Sequence, residues 1–390
     1  MKTVLPLTQK QSYYALGKKM LIFYTLSIMG FVSCNKDKDI VAVPAANIPA
    51  TTTTIPTPVT PAVSYTNTFN PSITFSNYTY NSGTAKNFIG KLYPSTLVGK
   101  AFFSEADANY VYFKNDSLFL TETGKTKIIA EKFLNIDLLF TDSINYKKSF
   151  TLVYDQFLTN KVIAHKGAFV KLGLPENSLA ALKQAFVIGT QGSEFDVHLT
   201  LDKVVVVSHD DVFGGISIEK STYQELCAKK LSNGETIPTL LSFLTATVTQ
   251  NRTRLDLEIK QSVISNAAGI ELTDSVLSLV NRTKAQAWVR YTSYGSDILA
   301  HIAKVDVTST TEYLSGTLSA TQLKGLGITG MDFSYDIYQK NETLIADARK
   351  NGLFLSSFTI NDPVVMLWWL SKNPDGIVTD QPELALQYSK

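Results

Sequence analysis

From Lys161 to Lys390, short apolar runs alternate with stretches whose apolar residues recur at helical spacing. The runs Lys161–Ala164, Ser193–Leu199, Val204–Ser208, Arg254–Lys260, Trp288–Thr292, Val307–Tyr313, Gly330–Phe333, Leu353–Thr359 and Gly376–Thr379 predict strands. Helices are predicted at Glu176–Ile188, Thr239–Thr249, Leu272–Asn281, Ser296–Ala303, Glu342–Asn351 and Pro363–Ser371. Repeated strand-then-helix units predict a parallel sheet, and about eight of them a closed (β/α)8 TIM barrel over 159–390. An open doubly wound sheet is the runner-up, weakened because no Gly-rich phosphate fingerprint follows the first strand. Residues 72–158 have another rhythm. Ile73–Tyr80 alternates with period two, and Tyr110–Phe113 and Ser117–Thr121 flank the turn residues Lys114-Asn115-Asp116. With Phe150–Tyr154 these predict a small all-β, sandwich-like domain, read as a packing module rather than a carbohydrate binder.

The amino-terminal 33 residues carry Lys2, Lys10, Lys18 and Lys19 and no acid, followed by an apolar run from Met20 to Val32. That run is too short to span a bilayer and suits the apolar part of a signal peptide. It ends in Gly30-Phe31-Val32-Ser33-Cys34, which resembles the lipobox of bacterial lipoproteins. The resemblance implies cleavage before Cys34, lipid on Cys34, and a chain anchored in the bacterial cell envelope, facing the periplasm or the cell surface. Residues 34–71 hold Pro44, Pro49, Pro56, Pro58 and Pro61 and the run Thr51–Thr54, a tether composition without a core. The other cysteine, Cys227, then has no internal partner and reads as a small buried hydrophobe.

The whole chain has 36 basic and 34 acidic side chains, and loss of the four leader lysines would bring it near −2. So even a balance argues against a general nucleic-acid binder. Apolar residues make up 44%, enough for a large core.

Three of the four histidines lie between 165 and 209. His165 and His209 each end an apolar run, which in a barrel is the end that faces the active site. Imidazoles there can move protons near neutral pH. Strand alternation puts Glu194 and Asp196 on one face, with Phe195, Val197 and Leu199 on the other. His198 shares the carboxylate face and reads as a loop-lining residue. The same rule puts Asp256, Glu258 and Lys260 inward. Inward carboxylates are costly unless paired or metal-bound, and such hard oxygen donors suit Ca2+ or Mg2+. The set describes metal-assisted acid–base work on a phosphate ester.

In order and spacing, these residues resemble the glycerophosphodiester phosphodiesterase family over about 161–382. The family's opening His-Arg-Gly and Pro-Glu-Asn read here as His165-Lys166-Gly167 and Pro175-Glu176-Asn177. Its Glu-x-Asp-Val, His-Asp, Ile-Pro-Thr-Leu and Glu-x-Lys read as Glu194–Val197, His209-Asp210, Ile237–Leu240 and Glu258–Lys260. Thr359–Asp362 and Gly376–Pro382 look like its last two strands. The resemblance implies metal-dependent hydrolysis of glycerophosphodiesters to glycerol 3-phosphate and an alcohol. His165 and His209 would be the acid/base pair, and Glu194, Asp196 and Glu258 would hold the divalent cation. Lys166 and Lys260 would contact phosphate, and Glu176 would bind metal or orient the glycerol end. The chain departs from the family in having Lys166 for the usual Arg, and a lysine lacks the forked grip of a guanidinium. Phe358 stands where a Trp is frequent.

Rival readings are a phosphodiesterase of the phosphatidylinositol-specific phospholipase C type, a non-catalytic surface lipoprotein binding glycerophospho-groups, and a structural lipoprotein with a relic barrel. No protein partner is evident in the sequence.

Overall fold

The computed structural model describes residues 66–67, 72–83, 87–141 and 145–389. The expected signal peptide, Cys34 and nearly all of the tether lie outside the described residues. Of the tether, Thr66–Asn67 is described, as a strand paired with Tyr146 and Lys147. Among the described residues, no helix is long and apolar enough to cross a membrane.

Residues 162–379 build a TIM barrel of eight parallel strands: β1 (Val162–Ala164), β2 (Gly192–Leu199), β3 (Arg254–Ile259), β4 (Val289–Ser293), β5 (Thr311–Tyr313), β6 (Gly330–Ser334), β7 (Phe354–Phe358) and β8 (Ile377–Thr379). The ring is nearly closed. Between β7 and β8, the N–H groups of Asp375 and Gly376 donate to Leu355 O and that of Ile360 donates to Val378 O. Outward side chains seat the helices: Phe195 is fully buried with its ring 4.8 Å from that of Phe243 on helix Leu240–Thr247.

The run Val204–Ser208 is not a barrel strand. Val205–Val207 turns back and pairs antiparallel with the end of β2, Val197 opposite Val207. Thr200–Lys203 makes the reversal, with Thr200 N–H bonded to Val204 O and Lys203 at φ 66°. Two other boundaries moved for local reasons. Helix Asn266–Arg282 starts earlier than its apolar pattern because the Ser265 side chain caps it, accepting from Ala268 N–H. The strand expected from Val307 begins at Thr311 because Asp306 Oδ1 holds both Thr308 N–H and Thr308 Oγ1 in a turn.

Residues 72–154 contain two small sheets and also a helix, Glu122–Glu131, that an all-β expectation leaves out. Thr121 caps it by accepting from Gly124 N–H. At Gly124 a Cβ would lie 2.0 Å from Tyr110 O, so no larger residue fits there. This region meets the amino-terminal end of the barrel. Asn251 Nδ2 donates to Tyr154 O at 2.8 Å, and the Phe133 and Trp288 rings are 5.9 Å apart. Arg254, at the first position of β3, lies over the Phe157 ring at 3.9 Å. The loops at the opposite, carboxyl end carry the sequence-derived site. Cys227 ends helix Tyr223–Cys227 and is buried.

Candidate active site

The carboxyl end of the barrel gathers the acids of β2 and β3. Glu194, Asp196 and Glu258 are all buried, with one oxygen of each within 4.8 Å of the others. Pairing of Glu194 with Asp256 and of Asp196 with Glu258 across the two strands sets this convergence. Lys260, just beyond β3, donates from Nζ to Asp196 Oδ1 and to Glu258 Oε1, both at 2.7 Å. Asp256 sits one layer lower and is taken by Arg290, at 2.6 and 2.9 Å, so it does not join the cluster.

One lysine therefore faces three carboxylates. Burial pushes the Glu194 carboxyl well up, and the charges of Asp196 and Glu258 add to the effect. Burial, followed by the charge of Asp196, pushes Glu258 up to about 7. For Asp196 burial works upward too, but the Lys260 ammonium outweighs it and holds that carboxyl low. Glu194 Oε1 is buried and has no hydrogen-bond partner among the described residues. A divalent cation fits this donor set: it would satisfy the open oxygen and supply the positive charge that one lysine does not.

The loop after β1 presents His165. Its Nδ1 lies 2.7 Å from Asp380 Oδ1, and its Nε2 lies 3.9 Å from Glu194 Oε2. Asp380, following β8, is itself held by Asn361, whose Nδ2 donates to Oδ2 at 2.6 Å and whose Oδ1 accepts from Asp380 N–H. Burial would raise the Asp380 carboxyl, but the hydrogen bond and charge of His165 bring it below the usual range.

Lys166 adopts φ 52° and Gly167 φ 85°, and a Cβ on Gly167 would lie 2.7 Å from the Ala181 backbone. The turn aims Lys166 N–H at Glu194 Oε2, 2.9 Å away. Lys166 Nζ lies 3.3 Å from each oxygen of Glu176. Next in the chain, Asn177, at φ 54°, donates from Nδ2 to Asp196 Oδ2 at 2.8 Å. Ser178 then caps helix Leu179–Ile188. Pro175–Ser178 thus places one carboxylate beside Lys166, one amide on the cluster and one helix cap.

His209 follows the antiparallel strand and is the more exposed of the two candidate histidines, at 43% of its side chain against 20% for His165. Its Nδ1 lies 2.8 Å from Asp210 Oδ1. Ser208 N–H donates to Asp196 O, and Val207 N–H to Pro238 O, so the Ile237–Leu240 segment backs the strand that carries His209. His198 is buried, and its Nε2 donates to His209 O at 3.3 Å. Tyr294, after β4, borders the cluster. Burial, then the charge of Glu258, pushes its hydroxyl up to about 12.

The structure thus brings together Glu194, Asp196, Glu258, Lys260, Lys166, Glu176 and His165, with His209 on the adjoining loop. Sequence reasoning gave no role to Asn177, Asn361, Asp380 or Asp210. All four stand inside quoted motifs, which was the available signal.

Residues 165–384 match the glycerophosphoryl diester phosphodiesterase family. A putative glycerophosphodiester phosphodiesterase of Bacillus subtilis is 27% identical over 253 residues, 59% of this chain and 98% of the relative. A glycerophosphodiester phosphodiesterase of Caldanaerobacter subterraneus is 26% identical, covering 57% and 94%. The crystal structure of a glycerophosphodiester phosphodiesterase from Parabacteroides distasonis is 35% identical with a TM-score of 0.57, over 60% of this chain and 97% of that one. A phosphodiesterase of Oleispira antarctica, solved with the product sn-glycerol-3-phosphate, shares the fold at 24% identity and a TM-score of 0.50, over 59% and 96%.

Proposed function

This chain belongs to the glycerophosphoryl diester phosphodiesterase family and is a phosphoric diester hydrolase; from that premise we propose that it cleaves glycerophosphodiesters to glycerol 3-phosphate and an alcohol, using a divalent cation, Ca2+ or Mg2+, and two histidines. The observation that carries the cation is the buried three-carboxylate cluster with a single lysine and an unpartnered oxygen on Glu194. Glu194, Asp196 and Glu258 would hold it. Once bound, such a cation draws charge from the phosphate oxygens and so eases attack at phosphorus.

The remaining work falls to the side chains. His165 is tethered at Nδ1 by Asp380, which leaves Nε2 to exchange a proton. His209 is held at Nδ1 by Asp210 in the same manner. One imidazole takes the proton from the attacking hydroxyl and the other gives a proton to the departing alkoxide. The attacking group is water, or the glycerol 2-hydroxyl by way of a cyclic phosphate. Lys260 and Lys166 are the cations available to the substrate phosphate. Lys260 is held by two of the carboxylates that a bound cation would compete for, and Lys166 by Glu176. Glu176, beside Lys166 and half exposed, faces the glycerol end in this reading.

The proposal extends to the domain plan and address: a signal peptide over 1–33, lipid on Cys34, a tether to about residue 71, a packing module to 158, and a catalytic barrel held at the cell envelope. Lipid analysis of peptides containing Cys34 tests the anchor.

The function is tested with the full chain and glycerophosphocholine, glycerophosphoethanolamine, glycerophosphoglycerol and glycerophosphoinositol, in Ca2+, Mg2+ or EDTA. Released glycerol 3-phosphate is the readout. Cation-dependent release that His165→Ala and His209→Ala each reduce by roughly 10²–10⁴-fold is expected. No release from any diester by folded, cation-loaded protein would overturn the reading. Release of a cyclic inositol phosphate would move it to the phospholipase C type.

A further inference from the structure

A cavity of about 330 Å³ lies at the opposite end of the barrel from the carboxylate cluster, between the barrel and the module that precedes it. Parallel strands all start at that end, so residues at or just before their starts share it. Arg254 opens β3, Gln286 precedes β4, Asp306, Ser309 and Thr310 precede β5, and Phe354 opens β7. The stretch 76–79 of the module forms the facing wall. No part of the proposed reaction uses these groups.

Two of them are left open by the fold. The Arg254 guanidinium donates from Nη1 to Ala287 O at 2.7 Å and lies over the Phe157 ring, but it forms no ion pair among the described residues. Burial, then the charge of Arg290, pulls it down to about 10, so an anion beside it would be favoured. Arg290 borders the same cavity, yet it already holds both oxygens of Asp256, at 2.6 and 2.9 Å. The Gln286 amide is buried, and neither its Oε1 nor its Nε2 has a hydrogen-bond partner among the described residues. An amide left so is costly, and a bound water or ligand is the usual reason for one. The acid of the cavity is balanced. Burial pulls the Lys148 ammonium down to about 8, and the charge of Asp306 works against that fall. Asp306 Oδ1 also accepts from Thr308 N–H and Oγ1. One positive charge is therefore in surplus, at Arg254.

We propose that this junction is a second ligand site, remote from the phosphodiester chemistry, and that it takes a small hydroxylated monocarboxylate such as a single-ring sugar acid. Arg254 meets the carboxylate with its remaining N–H groups, which a guanidinium presents in parallel pairs. A single surplus charge suits a monoanion better than a phosphate dianion. The Gln286 amide, the Ser309 and Thr310 hydroxyls and the Asp306 carboxylate offer donors and acceptors to the ligand's hydroxyls. Phe354 offers an apolar face to its ring carbons. Ligand pockets run from about 300 to 1,000 Å³, and a cavity at the low end of that range limits the ligand to about one ring. The site belongs to the junction rather than to the module's own surface, so a bound ligand would tie module to barrel.

The test is calorimetric titration of the full chain with glucuronate. Glucose and inorganic phosphate are the controls, and a parallel run contains saturating glycerol 3-phosphate. One equivalent of glucuronate should bind, about tenfold or more tighter than either control, and glycerol 3-phosphate should not displace it. Arg254→Met should weaken binding about tenfold or more, through loss of the charged donor. Gln286→Leu should weaken it several-fold and leave phosphodiester turnover unchanged; it decides alone if Arg254→Met does not fold. Absence of glucuronate binding would overturn the proposal. So would equal affinity for glucose or phosphate, displacement by glycerol 3-phosphate, or an affinity that Gln286→Leu leaves unchanged.

Discussion

Asp380 Oδ1 accepts from His165 Nδ1 at 2.7 Å, joining the carboxyl end of the last barrel strand to that of the first across 215 positions of sequence. The pair sets the imidazole's orientation and its tautomer. Asp380→Asn keeps the shape and removes the charge. If His165 is the proposed acid/base group, kcat should fall by about tenfold to a hundredfold with KM little changed, because the imidazole loses its support but stays in place. The acid side of the pH–rate profile should also move, since the Asp380 carboxyl is held below the usual range by His165. Unaltered kcat and profile would show that the pair has no part in catalysis.

A second prediction concerns protons and cations competing for one cluster. Glu258 is pushed up to about 7, so in cation-free protein it keeps a proton that the unfolded chain has already lost. Between the ordinary carboxylate range and pH 7, the folded state therefore binds more protons than the unfolded state. Stability must then fall as pH rises through that window. A bound divalent cation removes the penalty. The gain in Tm on adding Ca2+ or Mg2+ should be larger at pH 8 than at pH 5.5, as read by thermal unfolding with EDTA controls. Equal gains at both values would contradict a cation on these acids.

Asn177→Ala removes the amide from Asp196 Oδ2 and puts a Cβ-bearing residue without a local hydrogen bond at φ 54°. The cost should be about 1–3 kcal/mol in denaturant unfolding, because a buried carboxylate loses a donor. Divalent-cation affinity should weaken with it. If stability falls and cation affinity does not, Asn177 serves the fold alone.

Gly167→Ala tests the turn after β1. The added Cβ would sit 2.7 Å from the Ala181 backbone at a φ of +85°. The turn must shift, taking Lys166 N–H off Glu194 and moving His165. Roughly 1–3 kcal/mol of destabilisation is expected, with a kcat loss that neither added cation nor higher substrate concentration restores. Wild-type turnover would show that the turn is softer than its geometry suggests.

The alternation of Glu194, Phe195, Asp196 and Val197 was enough to place two acids inward and two apolar side chains under helices, and the same rule placed Glu258 and Lys260. Such facts are local to one strand. The rule also turned Asp256 inward, but it does not reveal that Arg290, on the next strand, takes it out of the cluster. Pairings between distant segments were less legible still. Asp380 with His165, and Ser208 with Asp196, depend on ring closure and on a chain reversal at Thr200–Lys203 that an apolar run such as Val204–Val207 does not announce. The helix Glu122–Glu131 was missed because its residues are mostly polar and its place is set by contacts of Gly124 and Ile128 with neighbouring strands.

The reversal after β2 has a further consequence. His209 and Asp196 hang from one hydrogen-bonded backbone ladder, so the spacing between imidazole and carboxylate does not depend on the loop that follows. That loop, Asp211 to Ser221, leaves the ladder and returns near it, with Ser221 O accepting from Leu201 N–H. Selection can therefore lengthen or shorten it without altering that spacing. In evolutionary terms, the antiparallel strand lets the length of 211–221 drift while the spacing of His209 and Asp196 stays constant.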